Sequence, residues 1–111
     1  MATKEEVLRD LGLSDKETQV YLTLLSFGQS AVNAIARKAK LNRVTTYDIL
    51  KYLQEKGLVS YVVKSGVKYF EAAEPQKLLG DLQEKEDKVK SILPELEMLK
   101  QSLKEKPSIE F

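Results

Sequence analysis

The sequence contains no cysteine and no histidine. The first absence excludes disulfides and thiolate chemistry, and the two together remove the usual zinc ligands and the side chain that moves protons near neutral pH. An enzyme built on this chain would have to work from Ser, Lys, Tyr and carboxylates. The sequence offers neither paired carboxylates in a plausible pocket nor a phosphate-cradling glycine loop, so no catalytic residue, metal site or cofactor is expected. No apolar run approaches the ~20 residues that span a bilayer, and "MATKEEVLRD" lacks the basic-then-apolar order of a signal peptide. A cytoplasmic protein with no membrane partner is expected, and no small-molecule site is identifiable. At 111 residues and 42% hydrophobic content, the chain suffices for one modest core with an appendage.

The net charge of +1 hides a strong asymmetry. Residues 1–30 carry three Lys/Arg against five Asp/Glu, residues 31–70 eight against two, and residues 71–111 seven against ten. A basic block in the middle third is the footprint of a nucleic-acid face, although a merely solvated basic surface has the same composition.

Helical periodicity dominates. "KEEVLRDLG" predicts a short amphipathic helix stopped by Gly12. In "LSDKETQVYLTLLSFG", Ser14 and Glu17 have capping-box spacing, Val20, Tyr21, Leu24 and Leu25 recur on one face, and Gly28 supplies the stop. "QSAVNAIARKAK" predicts a third helix capped by Ser30, with Val32, Ile35, Ala36 and Ala39 inward. A fourth runs from Arg43 to Lys56 behind the cap Asn42, its inner face Thr46, Ile49, Leu50 and Leu53, with Gly57 ending it. "LVSYVVK" and "VKYFEA" alternate about "SG" and predict a β-hairpin whose Gly66 takes positive φ, with Val62, Val67, Tyr69 and Phe70 facing sheet and core. From Glu74 a long helix is predicted. Leu82, Val89, Leu96 and Leu103 repeat every seven residues, interleaved with Leu78, Lys85, Ile92 and Leu99, as in a coiled-coil seam. Lys85 interrupts that seam, and Pro94 removes a backbone hydrogen bond and is expected to kink the rod. The fold class is mainly α with a small β-hairpin and a long C-terminal coiled-coil-like helix.

A small-residue helix, a short turn and a helix with outward basic residues form the helix-turn-helix pattern, whose second helix enters the major groove N-terminus first. Arg43, Tyr47 and Lys51 are four apart and share one stripe. Arg43 suits the bidentate contact to guanine or a phosphate, Val44 and Thr45 suit thymine methyls, and Tyr47 suits a phosphate oxygen. Lys51 is assigned to phosphate, and Arg37, Lys38 and Lys40 flank the groove. Asn42, at the head of the helix, joins these candidates. Lys64, Ser65 and Lys68, with Gly66, are expected to cluster at a basic hairpin tip lying over an adjacent minor groove or phosphate. Each of these residues is singly as consistent with an ordinary exposed side chain; together they point to double-stranded DNA.

The stretches "LGLSDKETQVYLTLLSFG", "AIARKAKLNRVTTYDILKYLQEKGLVSYV" and "KYFEAAEPQKLLGDL" resemble the winged-helix domain of the TrmB-type regulators, sugar-responsive transcription factors best known from archaea. The similarity covers roughly residues 7 to 83. Asn42 and Val44 depart from the proline and the small polar residue that relatives often carry there, which bears on the operator sequence rather than the binding mode. The expected organisation is a winged helix-turn-helix over residues 1–73, a long dimerisation helix over 74–106 and a tail over 107–111, and the resemblance implies that the long helix pairs across a two-fold axis. It also implies a transcriptional regulator acting as a homodimer. In relatives a segment similar to "KPSIEF" leads to a sugar-binding effector domain, and the strand-like ending here favours the DNA-binding portion of a longer protein over a stand-alone member. No residue of this chain corresponds to the sugar site.

Two alternatives stand beside this reading. A winged helix can serve as a protein–protein interaction module of transcription or chromosome machinery, in which case the basic patch meets an acidic partner. The seam residues Leu78, Leu82, Val89, Ile92, Leu96, Leu99 and Leu103 can pair between two chains or fold back on the first helix of their own.

Overall fold

Thr3 accepts a hydrogen bond from the Glu6 amide at 3.1 Å and opens α1, Lys4–Asp10, in the computed structural model, which describes residues 1–104. The expected tail at 107–111 and the last two residues of the expected long helix, 105 and 106, lie outside the described residues. The chain divides into two units, Met1–Glu74 and Pro75–Phe111.

In the first unit, α2 spans Asp15–Phe27 behind the predicted capping box: Ser14 Oγ accepts from the Glu17 amide at 3.1 Å and Glu17 Oε1 from the Ser14 amide at 2.8 Å. Val20, Tyr21 and Leu24 are buried, but Leu25 is 40% exposed. Leu25 lies one residue past the centre of the inward stripe, and that rotation carries it to the helix flank. Gly28 takes φ 76° and ends the helix as predicted, its amide returning to the Leu24 carbonyl.

Ser30 is not a cap. Ser30–Ala31 form a two-residue strand, β1, and Ala31 precedes α3, Val32–Ala39, without a side-chain cap. The Ser30 hydroxyl donates instead to the Gly28 carbonyl at 3.0 Å. Ile35, Ala36 and Ala39 are buried as expected, while Val32 is only half-buried. Asn42 caps α4, Arg43–Glu55, accepting from the Thr45 amide at 2.7 Å. All four residues of its predicted inner face, Thr46, Ile49, Leu50 and Leu53, are buried, and Gly57 follows at φ 74°.

Strands β2, Val59–Lys64, and β3, Val67–Ala72, pair antiparallel, and β1 adds to the other side of β3, giving the order β1-β3-β2. Ser65 at φ 51° and Gly66 at φ 76° make the two-residue turn, the primed geometry whose twist matches the strands. Val59 and Phe70 face the core; Val62 and Val67 do not, being 39% and 44% exposed. The register explains it. Val59 lies opposite Ala72 and Tyr61 opposite Phe70, so Val62 and Val67 fall on the other face of the ribbon.

The helices and ribbon share one core. Tyr21 and Leu24 of α2, Ile35 of α3, Leu50 and Leu53 of α4 and Phe70 of β3 are each at most 2% exposed. A fully buried side chain of this kind contributes about 1.5–3 kcal/mol. An ion pair ties the end of α4 to the start of α2: Lys56 Nζ lies 3.0 Å from Glu17 Oε2 and donates to the Gly12 carbonyl at 3.2 Å. Burial pushes the Glu17 carboxyl up, but the Ser14 hydrogen bonds and Lys56 outweigh it and hold the group below the ordinary glutamate value.

The second unit contains α5, Lys77–Lys104, 28 residues running through Pro94. At 1.5 Å per residue it is about 42 Å long. Its seam side chains are open: Leu82, Val89, Ile92, Leu96, Leu99 and Leu103 are 42–64% exposed. Leu78 is half-buried. Among the described residues no helix is long and apolar enough to cross a membrane.

Candidate nucleic-acid interface

Burying Thr46, Ile49, Leu50 and Leu53 turns the opposite face of α4 to solvent. That face carries Arg43, Val44, Asp48, Lys51 and Tyr52, all exposed, with Thr45 and Tyr47 half-covered at its margins. Val44, in the first turn of α4, is 71% exposed, an apolar side chain open to solvent. The amides of that first turn carry the positive end of the helix dipole, which favours an anion there.

Arg43 is held. Its Nε donates to Asn33 Oδ1 of α3 at 2.8 Å, leaving the two terminal amino groups of the guanidinium for another acceptor. Arg37 follows Asn33 by one turn on the same stripe of α3. Lys38 points elsewhere, its ammonium 4.1 Å from the centre of the Phe27 ring at the end of α2. Lys40 takes the left-handed conformation, φ 58°, that closes α3 and turns the chain into α4.

The hairpin lysines do not form one cluster. The register that pairs Lys64 with Val67 and Val63 with Lys68 sends the two lysines to opposite faces of the ribbon. Lys64 donates to Gln29 Oε1 at 2.8 Å, and Gln29 in turn donates to Glu71 at 3.4 Å. Lys68 reaches α4: it donates to Tyr47 Oη at 3.4 Å and sits 4.5 Å from the centre of the Tyr61 ring. Only Ser65 and Gly66 are left at the tip.

Among the described residues, seven of the eight basic side chains between residues 31 and 70 take part in no ion pair; Lys56 is the exception. The positive charge of the stretch is thus largely unneutralised by ion pairs. Asn33, Gln29 and Tyr61 were not among the residues the sequence pointed to. Asn33 had one usable signal, its i, i+4 relation to Arg37, whereas Gln29 and Tyr61 acquire their partners only through strand pairing. Asp48 and Glu55 are also exposed on α4 and put negative charge beside the basic stripe.

The family of the sugar-specific transcriptional regulator TrmB matches residues 8–76. A curated relative, the HTH-type sugar sensing transcriptional regulator TrmBL1 of Pyrococcus furiosus, is 28% identical over 105 residues. That alignment takes in 92% of this chain and 29% of the relative, so the chain spans less than a third of that protein's length. Among solved structures, TrmBL2, an archaeal chromatin protein, superposes with a TM-score of 0.75 at 24% identity over 90% of this chain and 38% of its own. The ST1889 protein of the thermoacidophilic archaeon Sulfolobus tokodaii superposes with a TM-score of 0.64 at 23% identity, covering 79% of this chain and 96% of that one. These structural likenesses carry the fold, a winged helix.

Proposed function

The chain belongs to the TrmB family of transcriptional regulators, and from that premise we propose that it binds double-stranded DNA through α4, set in the major groove, with the hairpin as a wing on the adjacent backbone. One observation carries the reading. Arg43, Tyr47 and Lys51 share the outer face of α4, and Lys68 of the wing joins them there through Tyr47, with no ion pair among the described residues neutralising any of the three cations. A face of this kind supplies phosphate contacts from the cations and base-edge contacts from Arg43 and Val44 in the first turn.

The regulator acts as a homodimer joined along α5. The exposed seam from Leu82 to Leu103 supports this, because such a stripe is covered in a soluble protein. Two-fold symmetry then calls for an inverted repeat with half-sites about one helical turn, ~10 bp, apart or a multiple of that. TrmBL1 is described as sugar sensing, and this chain corresponds to under a third of it; DNA binding is the activity assigned to the part described above.

The test is fluorescence anisotropy of a labelled random-sequence duplex across a salt series, with the wild type and the Arg43→Ala, Lys51→Ala double variant. Each phosphate contact adds about −0.9 to the slope of log K against log salt. The expected result is binding by the wild type with a steep slope and a joint loss of affinity and slope in the variant. A wild type that fails to bind at low salt would overturn the reading and turn attention to a protein partner.

A further inference from the structure

Two ammonium groups from different elements approach Tyr47. Lys51, one turn along α4, places Nζ 5.3 Å from the Tyr47 ring centre. Lys68, on β3, places Nζ 5.8 Å from the same centre and 3.4 Å from the hydroxyl oxygen. The position of Lys68 is fixed from below. Its ammonium packs over Tyr61, whose ring lies 5.7 Å from Phe70, and Phe70 is 2% exposed. A line of contacts therefore runs from the core through Phe70 and Tyr61 to Lys68 and on to Tyr47.

The hydrogen-bond inventory of this group is open on one side. Tyr47 Oη accepts from Lys68, so its own proton is free to be donated outward; each ammonium has three donors, and Lys68 uses one on Tyr47. No carboxylate forms an ion pair with either lysine among the described residues, although Asp48 and Glu55 lie on the neighbouring stripe of α4. Two cations within 5.8 Å of one ring centre and a hydroxyl donor on that ring suit a singly charged, many-acceptor anion.

We propose that Tyr47, Lys51 and Lys68 form one seat for a single phosphodiester of the DNA backbone, bridging α4 and the wing, in which Tyr47 donates to a phosphate oxygen and Lys68 holds the tyrosine in place. The inference rests on the DNA-binding reading and adds to it. The wing engages DNA through a lysine already joined to the recognition helix rather than through its tip, so wing and helix bind one phosphate as a unit.

The experiment is anisotropy on one duplex across a salt series with the wild type, Tyr47→Phe, Lys68→Met and the Tyr47→Phe, Lys68→Met double variant, with thermal melting to establish that each is folded. A hydrogen bond to a charged group is worth about a tenfold change in affinity or more. Tyr47→Phe is expected to weaken binding about tenfold at every salt concentration with no change of slope, since no cation is lost. Lys68→Met is expected to reduce the slope by about 0.9, and adding Tyr47→Phe to it is expected to cost less than twofold further. Full multiplication of the two effects would overturn the shared seat. Lys51→Met provides a second arm, expected to reduce the slope by the same amount. Inorganic phosphate at matched ionic strength separates the sources of the anion: displacement no greater than that by chloride assigns the seat to the backbone, and greater displacement assigns it to free phosphate and overturns the DNA assignment. Should the wild type bind no duplex at all, it is the DNA reading that fails; binding with independent effects at Tyr47 and Lys68 removes the seat alone.

Discussion

Arg43 in the first turn of α4 donates through Nε to Oδ1 of Asn33 in the first turn of α3, at 2.8 Å. Arginine loses several rotatable bonds' worth of freedom when it meets a base or phosphate, and a neutral partner that fixes the guanidinium plane beforehand lowers that cost. Asn33→Ala is therefore expected to weaken DNA binding about threefold to tenfold, on the order of 1 kcal/mol. The slope of log K against log salt should stay unchanged, because Asn33 carries no charge. The two substitutions Asn33→Ala and Arg43→Ala should be markedly non-additive in the same anisotropy titration. Additive losses would mean that Asn33 acts on its own.

The Glu17–Lys56 pair predicts how stability responds to acid. The folded-state pKa of Glu17 is lowered by the Ser14 bonds and Lys56 against the opposing effect of burial. A lowered carboxylate pKa gives stability that is present above the unfolded value and is lost as pH falls through the folded value, so the loss begins at about pH 4–5 and grows below it. Glu17→Gln retains an acceptor for the Ser14 amide, since glutamine also completes a capping box, and removes the titration. Lys56 is 40% exposed, so the pair itself is worth no more than about 1 kcal/mol. The expected outcome is a variant slightly less stable at pH 7 whose melting temperature falls less than that of the wild type between pH 5 and pH 3. Parallel curves would show that the pair contributes nothing.

The wing turn predicts two opposite effects at adjacent positions. Ser65 and Gly66 both have positive φ, and a Cβ added at Gly66 meets nothing within 4 Å, so the cost of a side chain there is purely conformational. Gly66→Ala should destabilise by about 1–2 kcal/mol. Ser65→Asn should stabilise by a few tenths of a kcal/mol, because asparagine tolerates the left-handed region and Asn-Gly is the preferred pair in this turn. Chemical denaturation of the two variants checks both signs, and the opposite order would refute the turn assignment.

Much of the fold was legible because its signals are local. Asn42, Ser14 and the glycines 28 and 57 act within a turn of their own positions, and the inner face of α4 follows from a 3.6-residue period that its packing did not disturb. What was missed depends on partners distant in sequence. Ser30 looks like a cap until β3 pairs with it, and two residues cannot display an alternating pattern. Arg43 finds Asn33 only once the angle between α3 and α4 is set. The division of Lys64 from Lys68 was in principle readable, since a two-residue turn pairs Lys64 with Val67 and period-two alternation then sends Lys68 to the other face. Charge alone groups the two lysines, and the pleat separates them.

The last prediction concerns α5, where the seam carries its own contradiction. Leu82, Val89, Ile92, Leu96, Leu99 and Leu103 are exposed along one stripe, and Lys85 occupies a position that the same spacing assigns to an apolar residue. If the stripe is a dimer interface, burying each leucine contributes about 1.5–3 kcal/mol, and the ammonium of Lys85 must lift its head out of the seam at some cost to stability. Lys85→Leu should then tighten the dimer, and Leu96→Lys should dissociate it. Leu96 lies within the apolar run, two residues past Pro94, which leaves the preceding turn short of one backbone bond. Sedimentation equilibrium at micromolar concentration reads both changes. The expected order of dimer affinity is Lys85→Leu above wild type above Leu96→Lys, with the winged-helix melting transition unchanged in all three because it belongs to the other unit. Three monomers of equal mass would remove the interface. In that event the inverted-repeat requirement goes with it, since two half-sites of fixed spacing are demanded only by two recognition helices joined at a fixed distance.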